Sequence, residues 1–335
     1  MYLLSALSLS VAAIFAVAVS VDFAPLSDAE IEYINSLEGN TWKAGRNFAA
    51  SDLDRVKRLL GVDIEANAEY NKLHLSYPKM VYPDGDLPAT FDARKNWPKC
   101  ATIKDIRDQS NCGSCWAFGS VEAQSDRHCT IRNITVRLSP EDVLSCCEDC
   151  SGSPGKGCLG GFPASAYDYW RKTGVVSGGP YGSKDTCYPY EIPPCHTPTP
   201  NCTKLHATPQ CTRKCIPGYP KSFEQDKHYG EFSYAVKGVE LIMKELVNNG
   251  PVTAAFMVFS DFMSYKSGVY KHVSEQYLGG HAVKIIGYGT EDGQDYWLVA
   301  NSWGTAWGMQ GFFKIAKGSD ECQIEDAIVA GIPQK

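Results

Sequence analysis

A cysteine, a histidine and an asparagine stand along this chain in an order that suits acyl transfer. Cys115 lies in Gln109-Ser-Asn-Cys112-Gly-Ser-Cys115-Trp-Ala-Phe118, and Gly279-Gly280-His281-Ala282 and Asn301-Ser302-Trp303-Gly304 follow far downstream. In such chemistry the nucleophile is the thiolate, yet a free thiol is mostly protonated at neutral pH. A neighbouring imidazolium and a helix N-terminus both favour the anion. The run 115–129 reads as a helix, since it has no proline, few β-branched residues and apolar positions at Trp116, Ala117, Val121 and Ala123. Its first turn falls at Cys115, after a Gly113-Ser114 turn, so unpaired backbone N–H groups face the sulfur.

The other two residues need a scaffold that brings them together. Residues 281–289 and 296–301 read as strands, with Glu291-Asp292-Gly293 between them, and Asp-Gly between apolar runs signals a hairpin. A hairpin with its midpoint at residue 291 sets His281 opposite Asn301. An amide there holds the imidazole in the tautomer and orientation that a Cys–His pair requires.

Cys112-Gly-Ser-Cys115-Trp116 matches the C-G-[SA]-C-[WY] signature of papain-type enzymes. On these motifs the chain resembles the papain family of cysteine proteases, and within it the cathepsin B group, over about residues 27–335. The resemblance implies an α+β fold of two lobes, a helical lobe packed against a β-barrel lobe, with Cys115 and His281 on opposite sides of the cleft. It implies peptide hydrolysis through a Cys115 thioester, with the Gln109 amide and the Cys115 N–H as oxyanion donors. Trp303 would shield the His281–Asn301 bond from water. Gly160, Gly161 and Gly280 would take the substrate backbone, where a missing side chain allows close approach. His281 and Asn301 lie further downstream than the roughly 130–150 residues usual after the nucleophile. That excess implies an insertion, for which the Cys- and Pro-rich stretch at about 187–220 is the candidate.

Two departures from the group's pattern bear on specificity. Cathepsin B proteases carry two adjacent histidines in an occluding loop that binds a substrate's C-terminal carboxylate. Here the loop Cys195-His-Thr-Pro-Thr-Pro-Asn-Cys202 is shorter and has one, His196, with Asp108 as its partner. The group's second anchor, an Arg–Asp pair, is lost, with Ala306 in place of the aspartate. Ala327 stands where the group has a glutamate at the floor of the pocket for the P2 side chain, two residues before the scissile bond. The resemblance then implies apolar or aromatic P2 residues, weakened dipeptide release and prominent endopeptidase action.

All 14 cysteines lie between residues 100 and 322. Residues 2–20 are apolar or small and uncharged, and their Ala16-Val-Ala18 and Ala18-Val-Ser20 patterns mark residues 1–20 as a signal peptide. Secretion favours disulfides over zinc at Cys146-Cys147-Glu-Asp-Cys150 and Cys211-Thr-Arg-Lys-Cys215, which also lack a matched histidine pair. A free Cys115 leaves at least one more thiol unpaired, and Cys322 is the isolated one. Spacing alone does not select a connectivity. The resemblance implies Cys100–Cys129, Cys112–Cys158, Cys146–Cys211, Cys147–Cys150, Cys187–Cys215 and Cys195–Cys202. Asn133-Ile-Thr and Asn201-Cys-Thr are glycosylation sequons.

A net charge of −6 argues against binding a phosphate backbone, and no stretch beyond the leader is long enough to span a bilayer. Gly287-Tyr-Gly289 has the wrong spacing for a dinucleotide loop, with no helix after it. No cofactor or metal is expected.

Residues 21–86 contain no cysteine. Ser27-Asp-Ala-Glu30 is a capping box ahead of Ile31, Ile34 and Leu37, and Ser51-Asp-Leu-Asp54 starts a second short helix that closes at Gly61. Asn40-Thr-Trp-Lys-Ala-Gly-Arg-Asn-Phe48 resembles the group's short propeptide, and Leu87-Pro-Ala-Thr-Phe-Asp-Ala-Arg94 its mature start. The expected organisation is a signal peptide (1–20), an inhibitory propeptide (21–86) and a peptidase domain (87–335). Further helices are expected at 139–145 and 239–249, and further strands at 252–259, 268–272 and 311–316. The resemblance places the protein in a lysosome or an exported digestive compartment, as a monomer. Its partners would be peptide and protein substrates, its own propeptide and cystatin-type inhibitors. A ligase on the same scaffold and a non-catalytic secreted binding homologue stay open as alternatives.

Overall fold

A computed structural model describes residues 23–78, 80–83, 85–151, 155–195 and 205–335. The signal segment 1–20, His196, Asn201 and Cys202 lie outside them. Helices α1 (Asp28–Ser36), α2 (Leu53–Lys57) and α3 (Ile64–His74), with strand β1 (Trp42–Ala44), come from the N-terminal segment. The remainder supplies β2 (Phe91–Asp92), α4 (Ala93–Asn96), α5 (Cys115–Arg132), α6 (Pro140–Cys146), α7 (Pro163–Lys172), β3 (Gly230–Val236), α8 (Val239–Asn249), β4 (Val252–Phe259), β5 (Tyr265–Tyr270), β6 (Tyr277–Glu291), β7 (Gln294–Ala300), β8 (Phe312–Ala316) and β9 (Ala327–Pro333).

The strands form one mixed sheet in the order β1-β5-β8-β7-β6-β4-β9-β3, with β2 on β6. The β5–β8 pair is parallel and the other pairs are antiparallel. The two candidate catalytic residues sit on different layers. Cys115 opens α5, and His281 lies within β6. One hydrophobic core gathers under the sheet around Phe256, Phe262, Trp297 and Phe313, and a second among the helices around Trp116, Tyr167 and Trp170.

Helix α5 passes through the middle of the protein, so its polar residues need internal partners. Lys284 of β6 reaches it, with Nζ 2.8 Å from Asp126 and 3.9 Å from Glu122. Arg127 donates to Glu245 of α8 at 2.7 Å and to the carbonyls of Gly250, Pro251 and Gly331 at 3.1, 2.6 and 3.0 Å. Tyr82, near the end of the N-terminal segment, donates to the other Glu245 oxygen at 2.6 Å. Where α5 crosses β6 there is no room for a side chain, and a Cβ on Gly119 would stand 3.2–3.3 Å from the backbone of Ala282 and Val283.

The β6–β7 hairpin departs from the expected register. Its turn is Asp292-Gly293, both at positive φ (50° and 80°), the conformation a two-residue type I′ turn requires. A bulge between Ile285 and Gly287 shifts the pairing, and the ladder ends at Lys284↔Ala300. Because Glu291 pairs with Gln294, the hairpin is centred beyond residue 291, and Asn301 is not the cross-strand partner of His281. It lies just past the end of β7, where its N–H donates to Gly311 O at 2.9 Å. Helix α5 runs to Arg132, where Asn133 ends it in the left-handed region at φ 58°. Strand β5 starts earlier than expected, at Tyr265, and β6 at Tyr277. Strands β3 and β9, paired along Ser233–Val236, had no counterpart in the sequence reading.

Burial also shapes the response to pH. Glu141 is fully buried, with one oxygen accepting the Glu191 N–H at 3.0 Å, and burial raises its pKa from 4.5 to about 8. Burial likewise raises Glu122 to about 7, despite Lys284. The folded chain then binds more protons than the unfolded one, so stability falls as pH rises from 4.5 toward those values. His128 and His281 are lowered by burial to about 3 and about 4 and act oppositely, but only up to their ordinary 6.5. Above pH 6.5 the carboxyl effect is joined by His272, whose hydrogen bond to Glu321 raises its pKa and whose stabilisation is lost in the same direction. The thermal midpoint should fall by several degrees between pH 6.5 and 8, and Glu141→Gln should flatten that limb. Calorimetry that finds the same slope in the variant would remove Glu141 as its cause.

Candidate active site

Cys115 is the first residue of α5, and its side chain is completely buried. What buries it is the N-terminal segment. The Gly61 N–H donates to Cys115 Sγ at 3.2 Å, and Gly61 O accepts from the Gly161 N–H at 2.9 Å. One residue on, the Val62 N–H donates to Gly280 O at 3.1 Å. Two residues before, Leu59 O accepts from Gln109 Nε2 at 2.9 Å.

Close backbone passage explains the glycines. A Cβ on Gly61 would meet Gly113 O at 1.9 Å, and one on Gly280 would meet Val62 O at 2.4 Å. Gly160 has φ +127°, and a Cβ there would lie 2.9 Å from Gly61 O.

Gln109 is held from several sides. Nε2 also donates to Cys112 O at 2.8 Å, and Oε1 accepts from Ser302 Oγ at 2.7 Å. Its backbone N–H donates to Ser302 O at 2.9 Å. Ser302 thereby fixes which end of the amide faces the cleft. Its role was not read from the sequence, although it stands inside the Asn301-Ser302-Trp303 motif.

The ring of His281 donates through Nε2 to Asn301 Oδ1 at 2.8 Å, and Oδ1 also accepts from the Ser302 N–H at 2.8 Å. Nδ1 is buried without a hydrogen-bond partner among the described residues, so its lone pair is available for a thiol proton. Trp303 lies over the imidazole, with ring centroids 4.7 Å apart, and Phe48 of the N-terminal segment packs edge-on against Trp303 at 6.0 Å.

The sequence leads one to expect a stabilised thiolate, and the covered cleft has the opposite electrostatics. Burial raises the Cys115 thiol to about 11, against the pull of backbone N–H groups, and lowers His281 to about 4. Both groups are neutral here, because the segment that fills the cleft removes the water an ion pair would need.

Ala327 opens β9 beside Ala255, partly buried. The neighbouring carboxylates are engaged elsewhere. Glu325 accepts from Trp297 Nε1 at 2.8 Å and from the Gly318 N–H at 2.6 Å, and Asp326 shares a hydrogen bond with Asp320. On the opposite side a cavity of about 250 Å³ is lined by Phe48, Leu59, Asp108, Cys195, Trp303 and Ala306 among others. Asp108 Oδ1 accepts from the Ser110 N–H at 2.8 Å.

Disulfides join Cys100–Cys129, Cys112–Cys158, Cys146–Cys211, Cys147–Cys150 and Cys187–Cys215. Cys195 is disulfide-bonded as well, and its expected partner Cys202 is outside the described residues, as is His196. Cys115 and Cys322 are free and buried. Of the two sequons, Asn133 is exposed and Asn201 is outside the described residues.

Residues 87–332 match the model of papain family cysteine proteases, and residues 26–66 match the peptidase family C1 propeptide. This chain belongs to the papain family. Among curated relatives, a cathepsin B-like cysteine proteinase of Schistosoma japonicum is 46% identical over 318 residues, covering 92% of this chain and 91% of the relative. Cathepsin B-like cysteine proteinase 6 of Caenorhabditis elegans is also 46% identical, over 324 residues, covering 92% of this chain and 83% of the relative. The solved procathepsin B S9 of Trypanosoma congolense superposes with a TM-score of 0.79 at 36% identity, covering 92% of this chain and 99% of that one. The chain is thus a cathepsin B-like papain-family cysteine protease carrying its propeptide, and its fold is papain-like. No helix among the described residues is long and apolar enough to cross a membrane.

The passage of Gly61 between Gly113 and Cys115 yields a test of latency. Gly61→Ala cannot hold that path, so the variant proenzyme should hydrolyse peptide substrates at least tenfold faster than the wild-type proenzyme. A titration with an active-site label, comparing labelled fraction at equal protein, checks it. Equal latency would mean that the contact at Cys115 is dispensable.

Proposed function

We propose that this protein is a cathepsin B-like cysteine endopeptidase, made with a signal peptide over 1–20 and held latent by residues 21–86, with 87–335 as the peptidase. Cys115 is the nucleophile and His281 its base, oriented by Asn301 and covered by Trp303. The thiol gives its proton to His281 Nδ1, the sulfur attacks the scissile carbonyl, and the oxygen is held by Gln109 Nε2 and the Cys115 N–H. The imidazolium then protonates the leaving amine, and water hydrolyses the thioester.

The observation that carries this reading is the segment already in the cleft. A peptide carbonyl, that of Leu59, rests on Gln109 Nε2, yet the group against Cys115 Sγ is an N–H two residues later. The cleft accepts a peptide backbone, and in this register the sulfur faces an N–H. Removal of the segment readmits water and lets the Cys115–His281 pair ionise. Transit through the secretory pathway to a lysosome or an exported digestive compartment agrees with the disulfides and with the family.

We assign the P2 pocket an apolar or aromatic preference. Ala327 brings no charge to it, and Glu325 and Asp326 are committed to Trp297 and Asp320. A guanidinium would be desolvated without a partner, whereas burying an apolar side chain gains about 1.5–3 kcal/mol. Paired Phe-Arg and Arg-Arg substrates should differ in kcat/KM by at least about tenfold in favour of Phe at P2. Ala327→Glu should restore cleavage after Arg at P2, and equal wild-type values would refute the pocket assignment.

The loop that opens at Cys195 supports weak exopeptidase action. It offers one histidine, His196, and Ala306 supplies no acidic tether. Mass spectrometry of a peptide digest should show internal cuts outpacing sequential loss of C-terminal dipeptides. Efficient dipeptide release that His196→Ala abolishes would overturn this.

A further inference from the structure

His272, Glu321 and Cys322 take no part in the chemistry above, yet they converge. Their donor atoms, an imidazole nitrogen, a carboxylate oxygen and a thiol sulfur, all lie within 4.8 Å of one another. His272 Nδ1 is 2.5 Å from Glu321 Oε1, Cys322 Sγ is 3.4 Å from the same oxygen, and Sγ is 3.9 Å from Nδ1. A tetrahedral zinc, with its bonds of about 2.0–2.3 Å, holds such donors about 3.3–3.6 Å apart. The sulfur–oxygen distance already falls in that range, and the sulfur–nitrogen distance must close by about 0.3 Å. The N–O pair must open by about 0.8 Å, as the shared hydrogen gives way to a metal.

The donors are held in place from outside the cluster. Phe259 stacks on the imidazole, with centroids 4.5 Å apart and planes 16° from parallel. Asp261, fully buried, accepts from the Val273 and Ser274 N–H groups at 2.7 and 3.3 Å and so fixes the segment after β5. On the other side Asp320, Cys322 and Gln323 all have left-handed φ values, 51°, 54° and 61°. That turn brings two successive side chains, Glu321 and Cys322, against one ring. The sulfur is buried while the His272 side chain is 32% exposed, so an ion reaches the cluster from the imidazole side. Among the described cysteines of this disulfide-rich chain, Cys322 is the free thiol that the proposed mechanism does not use.

We propose that His272, Glu321 and Cys322 bind one borderline-soft divalent cation of the zinc type. Nitrogen, sulfur and a single carboxylate oxygen form a donor set that suits zinc over magnesium or calcium. On binding, the Cys322 thiol releases its proton to solvent. His272 offers the Nδ1 lone pair and keeps a proton on Nε2, Glu321 gives one oxygen, and water fills the fourth position. The ion would clamp the segment after β5 to the turn before β9, joining parts of the chain that no spacing rule in the sequence links.

The test uses the full-length chain with Cys115→Ser, which removes the other free thiol, and cobalt(II) as a spectroscopic stand-in for zinc. One equivalent should produce near-ultraviolet thiolate-to-cobalt absorption with tetrahedral visible bands, and zinc should displace both. Adding Cys322→Ser should abolish the near-ultraviolet band, and Glu321→Gln or His272→Ala should weaken cobalt binding at least tenfold. Absence of the band at one equivalent, or its survival in Cys322→Ser, would overturn the site. Should Cys322→Ser fail to fold, the partly exposed His272 decides, because unchanged cobalt affinity in His272→Ala would also overturn it.

Discussion

The contact between α5 and β6 is the constraint on which the rest of the protein depends. In the proposed mechanism one element carries the nucleophile and the other the base, so their relative position must be held to a fraction of an ångström. Two features hold it. Gly119 lets the helix lie against the β6 backbone, and Lys284 of β6 is paired with Asp126 and Glu122 of α5 in a site without solvent. Buried ion pairs contribute little net stability, and removal of one partner strands a charge at a cost of about 3–5 kcal/mol. Here the gain is in position. A slip between the layers would leave Lys284 unpaired, so the structure resists the one motion that would separate sulfur from imidazole. Arg127, bonded to Glu245 and three carbonyls, does the same between α5 and the ends of α8 and β9.

Inhibition works on the same site by a different physical route. The N-terminal segment leaves the Cys115–His281–Asn301 framework in place and changes its solvent. With water excluded, charge separation between thiol and imidazole is disfavoured on both partners, as their opposite shifts show. The geometry is retained and the reactivity is withheld. Strand β1 extends the sheet through β5, and Trp42 Nε1 donates to Lys271 O at 2.9 Å, so the segment is folded into the protein as well as laid across its cleft.

Much of the site was legible in the sequence because its residues sit in short motifs whose local structure is self-determined. The helix at Cys115 follows from composition, and the hairpin follows from Asp292-Gly293. What was not legible depends on registers and long-range contacts. The hairpin turns between Asp292 and Gly293, with Glu291 paired to Gln294, so its centre lies beyond residue 291 and Asn301 does not fall opposite His281. Strand β9, Ala-Ile-Val-Ala-Gly-Ile-Pro, is apolar without alternation because most of it is buried, so periodicity could not distinguish it. The thiol's protonation in the covered cleft was not legible for a similar reason. Nothing near Cys115 in sequence reveals that Gly61 will cover it.

That covering residue also precedes its target along the chain, and this has a consequence for biosynthesis. Gly61 emerges from the ribosome long before the β6–β7 hairpin that supplies His281 and Asn301. At roughly 5–20 residues per second the interval is on the order of ten seconds or more. The cleft has no second wall until the hairpin is made, and by then the strand of backbone that fills it is already waiting beside the growing chain. The residue that covers Cys115 is therefore made before the residues that complete the cleft.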